Sequence, residues 1–170
     1  LGKLTIRKGL RYLFEALEKI NMRETDFQAW FVGAADPIIR REFESRKRPN
    51  WKYIGFVPQT MLPEIISQAD VGIFPSLEDG FAQVVPQQLS CGIPVITTGT
   101  TGSSDFIRNG YNGFVVNPYD SDSIAERIEQ VFGDSDLLRS MKGNALTHKL
   151  DQLSPQVVSS KFAEFFNRTL

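Results

Sequence analysis

The chain has 170 residues, 41% of them hydrophobic and 23% charged, the balance of a protein that folds around a core, at a length that suits one domain rather than two. Nineteen basic side chains meet twenty acidic ones, so the formal charge of -1 carries no global attraction to nucleic acid or an anionic membrane, and any anion site has to be local. One cysteine, Cys91, and one histidine, His148, exclude an internal disulfide and the usual four-ligand zinc site and fit a reducing compartment; no apolar run approaches the roughly 20 residues of a membrane span.

Leu1-Gly2-Lys3-Leu4 reads as the end of a strand with neither a lead-in nor a secretory signal, so the chain is expected to be a fragment. Leu10, Leu13, Phe14, Leu17 and Ile20 follow helical spacing and predict an amphipathic helix over 9–20. Phe27-Gln28-Ala29-Trp30-Phe31-Val32, ended by Gly33, predicts a buried strand. Asp36-Pro37 opens a helix with Ile38, Ile39 and Phe43 on one face, proline suiting a first turn, and with the basic cluster Arg46-Lys47-Arg48 near its end. Trp51-Lys52-Tyr53-Ile54 is the next strand, closed by Gly55, and Thr60 is expected to cap a helix carrying Met61, Leu62, Ile65, Ile66 and Ala69. Val71-Gly72-Ile73-Phe74 and Val95-Ile96-Thr97 are short strands around a helical segment over 82–90, where Pro86 is tolerable only near the start. Gly113-Phe114-Val115-Val116 is the last strand; Ile124, Ile128 and Val131 mark the helix after it, and two more helices finish the chain, the last over 155–169.

Strands alternating with helices call for parallel pairing and right-handed crossovers, hence an α/β fold with a doubly wound sheet. Such sheets bind ligands beyond the carboxyl ends of their strands. The stretch from Phe74 to Ile96 has that character: a strand ends in a loop with the acids Glu78 and Asp79, Gly80 lets a ligand approach the backbone, and a helix begins with unpaired N–H groups suited to phosphate. A glycine turn before a helix recurs in α/β domains generally, so these features alone favour a packing role.

The same stretch resembles the signature of the retaining sugar-nucleotide glycosyltransferases of the two-domain GT-B architecture, in particular glycosyltransferase family 4. That signature has a glutamate, a Gly-Phe-Gly-like turn, a second glutamate eight positions after the first, and a Cys-Gly-x-Pro-Val run. Aligned on Cys91-Gly92-Ile93-Pro94-Val95, its acidic positions fall on Asp79 and Gln87. Gly2-Lys3-Leu4-Thr5-Ile6-Arg7-Lys8-Gly9 is similar to the family's first phosphate-binding turn, and Phe31-Val32-Gly33, Gly55-Phe56-Val57, Ala69-Asp70-Val71, Gly102-Ser103-Ser104-Asp105 and Asn109-Gly110-Tyr111-Asn112-Gly113 match in order, so the likeness runs over 2–132.

The resemblance implies a Rossmann-like, three-layer α/β/α domain, the carboxyl-terminal half of a GT-B fold, spanning 1–170 without its acceptor-binding partner. It implies a glycosyltransferase that binds a nucleoside-diphosphate sugar and transfers the sugar with retention, with no metal and no cofactor beyond that substrate, inactive as an isolated half. Lys3 and Lys8 would clamp the diphosphate and stabilise its departure; Asp79 would accept from sugar hydroxyls, and Gln87 would meet the ribose. Gly2, Gly80 and the backbone of Phe81, Ala82, Gln83, Val84 and Val85 would approach the phosphates and sugar, and Gly33, Phe56 and Val57 the base. An acceptor sugar, lipid or protein would come through the missing half, with peripheral membrane contact there, a cytoplasmic location at the membrane's inner face, and no nucleic acid.

Two positions depart from the pattern. Asp79 is one methylene shorter than glutamate, with Glu78 beside it to supply the reach, and Gln87 lacks the charge, so its ribose bonds are neutral and roughly half as strong. A degenerate, non-catalytic domain kept for binding or protein contacts is therefore the alternative. A flavodoxin-like phosphoacceptor is disfavoured, since paired acids at a first strand end are missing. His148 reads as a surface residue, Cys91 as packing, Arg46-Lys47-Arg48 as a solvated helix end, Asp105 as a helix cap, and Phe162, Phe165 and Phe166 as a core stripe.

Overall fold

The computed structural model describes residues 1–21 and 27–147; the helix expected over 155–169, with His148, Phe162, Phe165 and Phe166, lies outside them. A 3-10 turn at Ile6–Lys8 leads into α1 (Leu10–Asn21), followed by β1 (Ala29–Val32), α2 (Pro37–Arg46), β2 (Trp51–Gly55), α3 (Leu62–Ser67), β3 (Gly72–Phe74), α4 (Val84–Ser90), β4 (Val95–Thr98), β5 (Gly113–Val116), α5 (Ser121–Gly133) and α6 (Ser135–Thr147). Every strand pair is parallel: β1 runs beside β2, and β3, β4 and β5 form a second group in that order. The alternating pattern thus folds into the α/β architecture expected of it.

Strand periodicity decides which layer each side chain joins. Along β4, Ile96 enters the larger apolar cluster with α1 and α5, while its neighbour Val95 enters the smaller one with Val85 and Leu89 of α4. The larger cluster is anchored by Phe14, Phe31, Phe43 and Trp51, whose ring centroids lie 5.2 to 6.5 Å apart. Helix α2 starts as its residues demand, with the Asp36 carboxylate accepting from the Ile39 N–H at 2.8 Å and Pro37 in the first turn.

Three expectations need correction. Residues 1–4 form no strand but a single bridge between Leu4 and Ala35, because Gly2 takes φ 109° and leaves the extended region. Thr60 caps nothing: it sits inside a 3-10 turn, Gln59–Met61, and the α-helix starts at Leu62. A cap at Thr60 could accept only from Leu62 or Pro63, and the Leu62 N–H is taken by Gln59 O while Pro63 has none. Asp105 lies within the 3-10 turn Gly102–Phe106 and precedes no α-helix, so it has no helix to cap.

Candidate functional site

The carboxyl ends of the strands meet along a short crest. The Gly2 N–H donates to Val32 O at 2.9 Å, and the Gly33 N–H to Gly55 O at 2.6 Å, so the loops holding Gly2, Gly33 and Phe56-Val57 stand side by side. Gly33 has φ 130°, and a Cβ there would sit 1.7 Å from Gly2 O, a contact only glycine permits. Phe56 is 77% exposed at one end of the crest, free to cover a ligand.

The loop after β3 is fixed from several sides. The Ser76 hydroxyl donates to Glu78 O at 3.0 Å, the Thr100 hydroxyl to Ser76 O at 2.7 Å, and the Leu77 N–H to Arg7 O at 2.8 Å, which ties the loop to the turn carrying Lys8. Gly9 presses against Pro75 O, where a Cβ would come to 1.9 Å, and so seats that turn on the end of β3. The result is an ion pair: the Lys8 ammonium donates to the Asp79 carboxylate, both side chains less than one fifth exposed, and it rides 5.1 Å from the centroid of the Phe74 ring. Asp79 is bridged to Thr101, while Glu78 and Gly80 are exposed.

Lys3 is exposed and has no ion pair with the described residues, so the structure joins Lys8 to Asp79 and does not join Lys3 to either. The amides expected to face a ligand are fewer than the residues suggest. The Ala82 N–H is taken by the buried Ser103 hydroxyl at 2.7 Å and the Val85 N–H by Ala82 O at 3.0 Å, which leaves those of Phe81, Gln83 and Val84 without a partner among the described residues. Val84 Cγ1 stands 3.5 Å from where a Gly2 Cβ would be, so the start of α4 faces the crest glycines. Gln87 is half-buried on α4 with its side-chain amide unpartnered among the described residues.

Sequence reasoning passed over three polar residues here. Ser103 orders the start of the α4 segment, and Gln88, buried, lays its amide across Gly72 while donating to Val84 O at 2.9 Å. Thr101, 3% exposed beside Asp79, keeps a hydroxyl with no partner among the described residues, the kind of orphan group that a ligand can satisfy. Cys91 ends α4, and burial pushes its thiol up from the ordinary value, which agrees with packing rather than nucleophilic chemistry.

Residues 1–134 match the family model of the glycosyl transferases group 1, and the chain belongs to that family. It is 32% identical to the capsular polysaccharide biosynthesis glycosyltransferase CapM of Staphylococcus aureus over 177 aligned residues, which cover 100% of this chain and 45% of CapM. Among solved structures, the C-terminal domain of a glycosyl transferase group 1 family protein (LpcC) from Francisella tularensis superposes with TM-score 0.79 at 22% identity, over 95% of this chain and 83% of that one. Anabaena Alr3699/HepE, solved in complex with UDP, superposes with TM-score 0.76 at 21% identity, over 98% of this chain and 48% of that one. These likenesses establish the carboxyl-terminal Rossmann-like half of a GT-B fold. The chain spans less than half the length of the curated relatives it matches.

Proposed function

We propose that this chain is the donor-binding half of a retaining glycosyltransferase and holds a nucleoside-diphosphate sugar over the crest formed by Gly2, Gly33 and the Gly55 turn. The observation that carries the reading is the pairing of Lys8 with Asp79 at the Gly80 loop. A cation suited to phosphate and a carboxylate suited to sugar hydroxyls sit side by side, as the junction between sugar and diphosphate requires. The pair need not break on binding. An ammonium has three N–H groups and gives one to Asp79, so two remain for phosphate oxygens, and the carboxylate keeps lone pairs for hydroxyls.

In this arrangement the base lies against Gly33, Phe56 and Val57, the ribose hydroxyls meet Gln87, and the diphosphate lies between Lys3, Lys8 and the free amides at Phe81, Gln83 and Val84. Asp79, with Glu78 beside it, orients the sugar. The bond from the anomeric carbon to the terminal phosphate oxygen breaks while the acceptor hydroxyl oxygen bonds to the same face of that carbon. The hydroxyl proton passes to the departing diphosphate, whose charge the lysines offset. The acceptor, a sugar, lipid or protein, is delivered by a preceding domain, so the isolated chain binds without transferring. Family membership supports this reading, and so does the complex of Alr3699/HepE with UDP.

Calorimetry with a panel of nucleoside diphosphates tests it: at least one binds, and Lys8→Ala weakens that ligand at least tenfold. Absence of binding at millimolar ligand overturns it. Replacement of both signature glutamates, by Asp79 and Gln87, favours a second reading, a degenerate domain kept for protein contacts. Turnover by the complete protein with a panel of sugar donors separates the two.

A further inference from the structure

β4 and the turn after it carry four threonines, and three of them direct their hydroxyls to carbonyls of the neighbouring β3 segment. Thr97 donates to Phe74 O at 3.0 Å, and Thr98 and Thr100 both donate to Ser76 O. Thr101 differs. The residue is 3% exposed, its hydroxyl oxygen is closed to solvent, and it has no partner among the described residues. A buried hydroxyl in that state destabilises the empty protein, and it gains a bond only when some group moves to it.

Asp79 is the group placed to do so. Asp79 and Thr101 face each other across a parallel bridge, so their side chains leave it on the same face, from backbones about 5 Å apart. The backbone holds that bridge with two long hydrogen bonds, from the Asp79 N–H to Thr100 O and from the Gly102 N–H to Asp79 O, each 3.4 Å. Side chains therefore have to fix the carboxylate. Its Oδ2 accepts from the Lys8 ammonium, and its Oδ1 has no partner among the described residues.

We infer that Thr101 is a positioning residue for Asp79, its hydroxyl donating to Asp79 Oδ1 when a sugar-bearing donor occupies the crest. The diphosphate brings a second anion to the Lys8 ammonium and loosens its hold on the carboxylate, which turns about its Cα–Cβ bond toward Thr101. The hydroxyl then fixes one oxygen, and the lone pairs left over accept from sugar hydroxyls. The ligand thus completes Thr101 through Asp79, without touching it. This inference rests on the reading of the crest as a donor site and adds the group that orients its carboxylate.

The test uses the complete protein. Thr101→Val removes the hydroxyl and keeps the branched shape, at φ -123° and ψ 138°, where valine sits without strain. Loss of an orphan is expected to raise the melting temperature by about 1 to 3 °C. Calorimetry with UDP, GDP and ADP, and with sugar conjugates of each, supplies the second readout. The variant is expected to bind the preferred sugar nucleotide at least fivefold more weakly and the matching diphosphate within about twofold of the parent. Thr101→Ser restores the parent's affinity, and in an Asp79→Asn background Thr101→Val adds no further loss, because it acts through the carboxylate. A lower melting temperature in Thr101→Val would show that the hydroxyl already has a partner, and it overturns the inference whatever binds. Unchanged sugar-nucleotide affinity, or losses that add in the double variant, also overturn it and leave the donor site standing. A parent that binds none of these nucleotides overturns the reading of the crest, and this inference with it.

Discussion

Lys8 and Asp79 are 71 residues apart in sequence and form an ion pair where the first turn of the chain rests on the loop after β3. Two separate turns, the one before α1 and the loop after β3, therefore hold one charged pair, and each half of it can be removed separately. Lys8→Ala takes away the cation offered to phosphate and is expected to weaken nucleoside diphosphate binding by about 10- to 100-fold, the worth of a charge-assisted hydrogen bond. Asp79→Asn keeps the shape and is expected to change diphosphate affinity by less than about threefold while removing most of the added affinity for the sugar-bearing donor. Titrations of both ligands against both variants check this. Equal losses for both ligands in Asp79→Asn would show that the carboxylate positions Lys8 and does not meet the sugar.

Gln87 offers a gain of function. Its amide is half-buried on α4 without a partner among the described residues, at the position where the family signature places a glutamate. Gln87→Glu turns neutral hydrogen bonds to ribose hydroxyls into charge-assisted ones, about twice as strong, so donor affinity is expected to rise by about five- to tenfold. Deoxyribose donors supply the control, since they lack one of the hydroxyls and should gain less. Unchanged affinity would mean that Gln87 does not face the ribose.

Much of this arrangement can be read along the chain, and the exceptions share a cause. Each of β1 and β2 is an apolar or aromatic run stopped by a glycine, and Asp36-Pro37 marks α2, because these signals act over a few residues. Ser103 taking the Ala82 amide, Gln88 lying across Gly72, and the orphan hydroxyl of Thr101 involve partners brought together only by the fold. Residues 1–4 were open to misreading for a related reason: their apolar character belongs to a strand, but their pairing amounts to the Gly2 N–H on Val32 O and one bridge from Leu4 to Ala35, too little for a strand. Lys8 and Asp79 were separately legible through the family signature, whereas their contact was not, since nothing in their spacing encodes it.

The crest glycines differ in what they tolerate. Gly33→Ala would drive a Cβ to 1.7 Å from Gly2 O at φ 130°, so backbone has to move. A loss of about 2–3 kcal/mol or more is expected, with a melting temperature lower by several degrees and weaker nucleotide binding. Gly80→Ala meets nothing within 4 Å and has no positive φ, so its thermal stability should match the parent's. Any affinity change in Gly80→Ala would then report ligand approach to that loop. Thermal melts and calorimetry on the two variants make the comparison, and a Gly33→Ala chain as stable as the parent would contradict the close approach.

Asp120 supplies a pH-dependent test of the packing that supports the site. Its carboxylate accepts from the Ser123 N–H at 2.9 Å and the Ser123 hydroxyl at 2.6 Å at the start of α5. The Ser123 hydroxyl holds the carboxyl below its usual range, followed by the Ser123 backbone, with Lys19 adding a smaller attraction. Because the folded state favours the charged form, the unfolded chain binds the proton more readily, and stability from this group is fully present above the ordinary carboxylate value and lost as pH falls from there through the lowered folded-state value. Asp120→Ala is therefore expected to cost about 1 kcal/mol near neutral pH, a typical cap loss, and progressively less as the solution is acidified toward pH 3. Denaturant midpoints of parent and variant across that range check the sign: a difference that widens on acidification would show that the cap does not act through its charge.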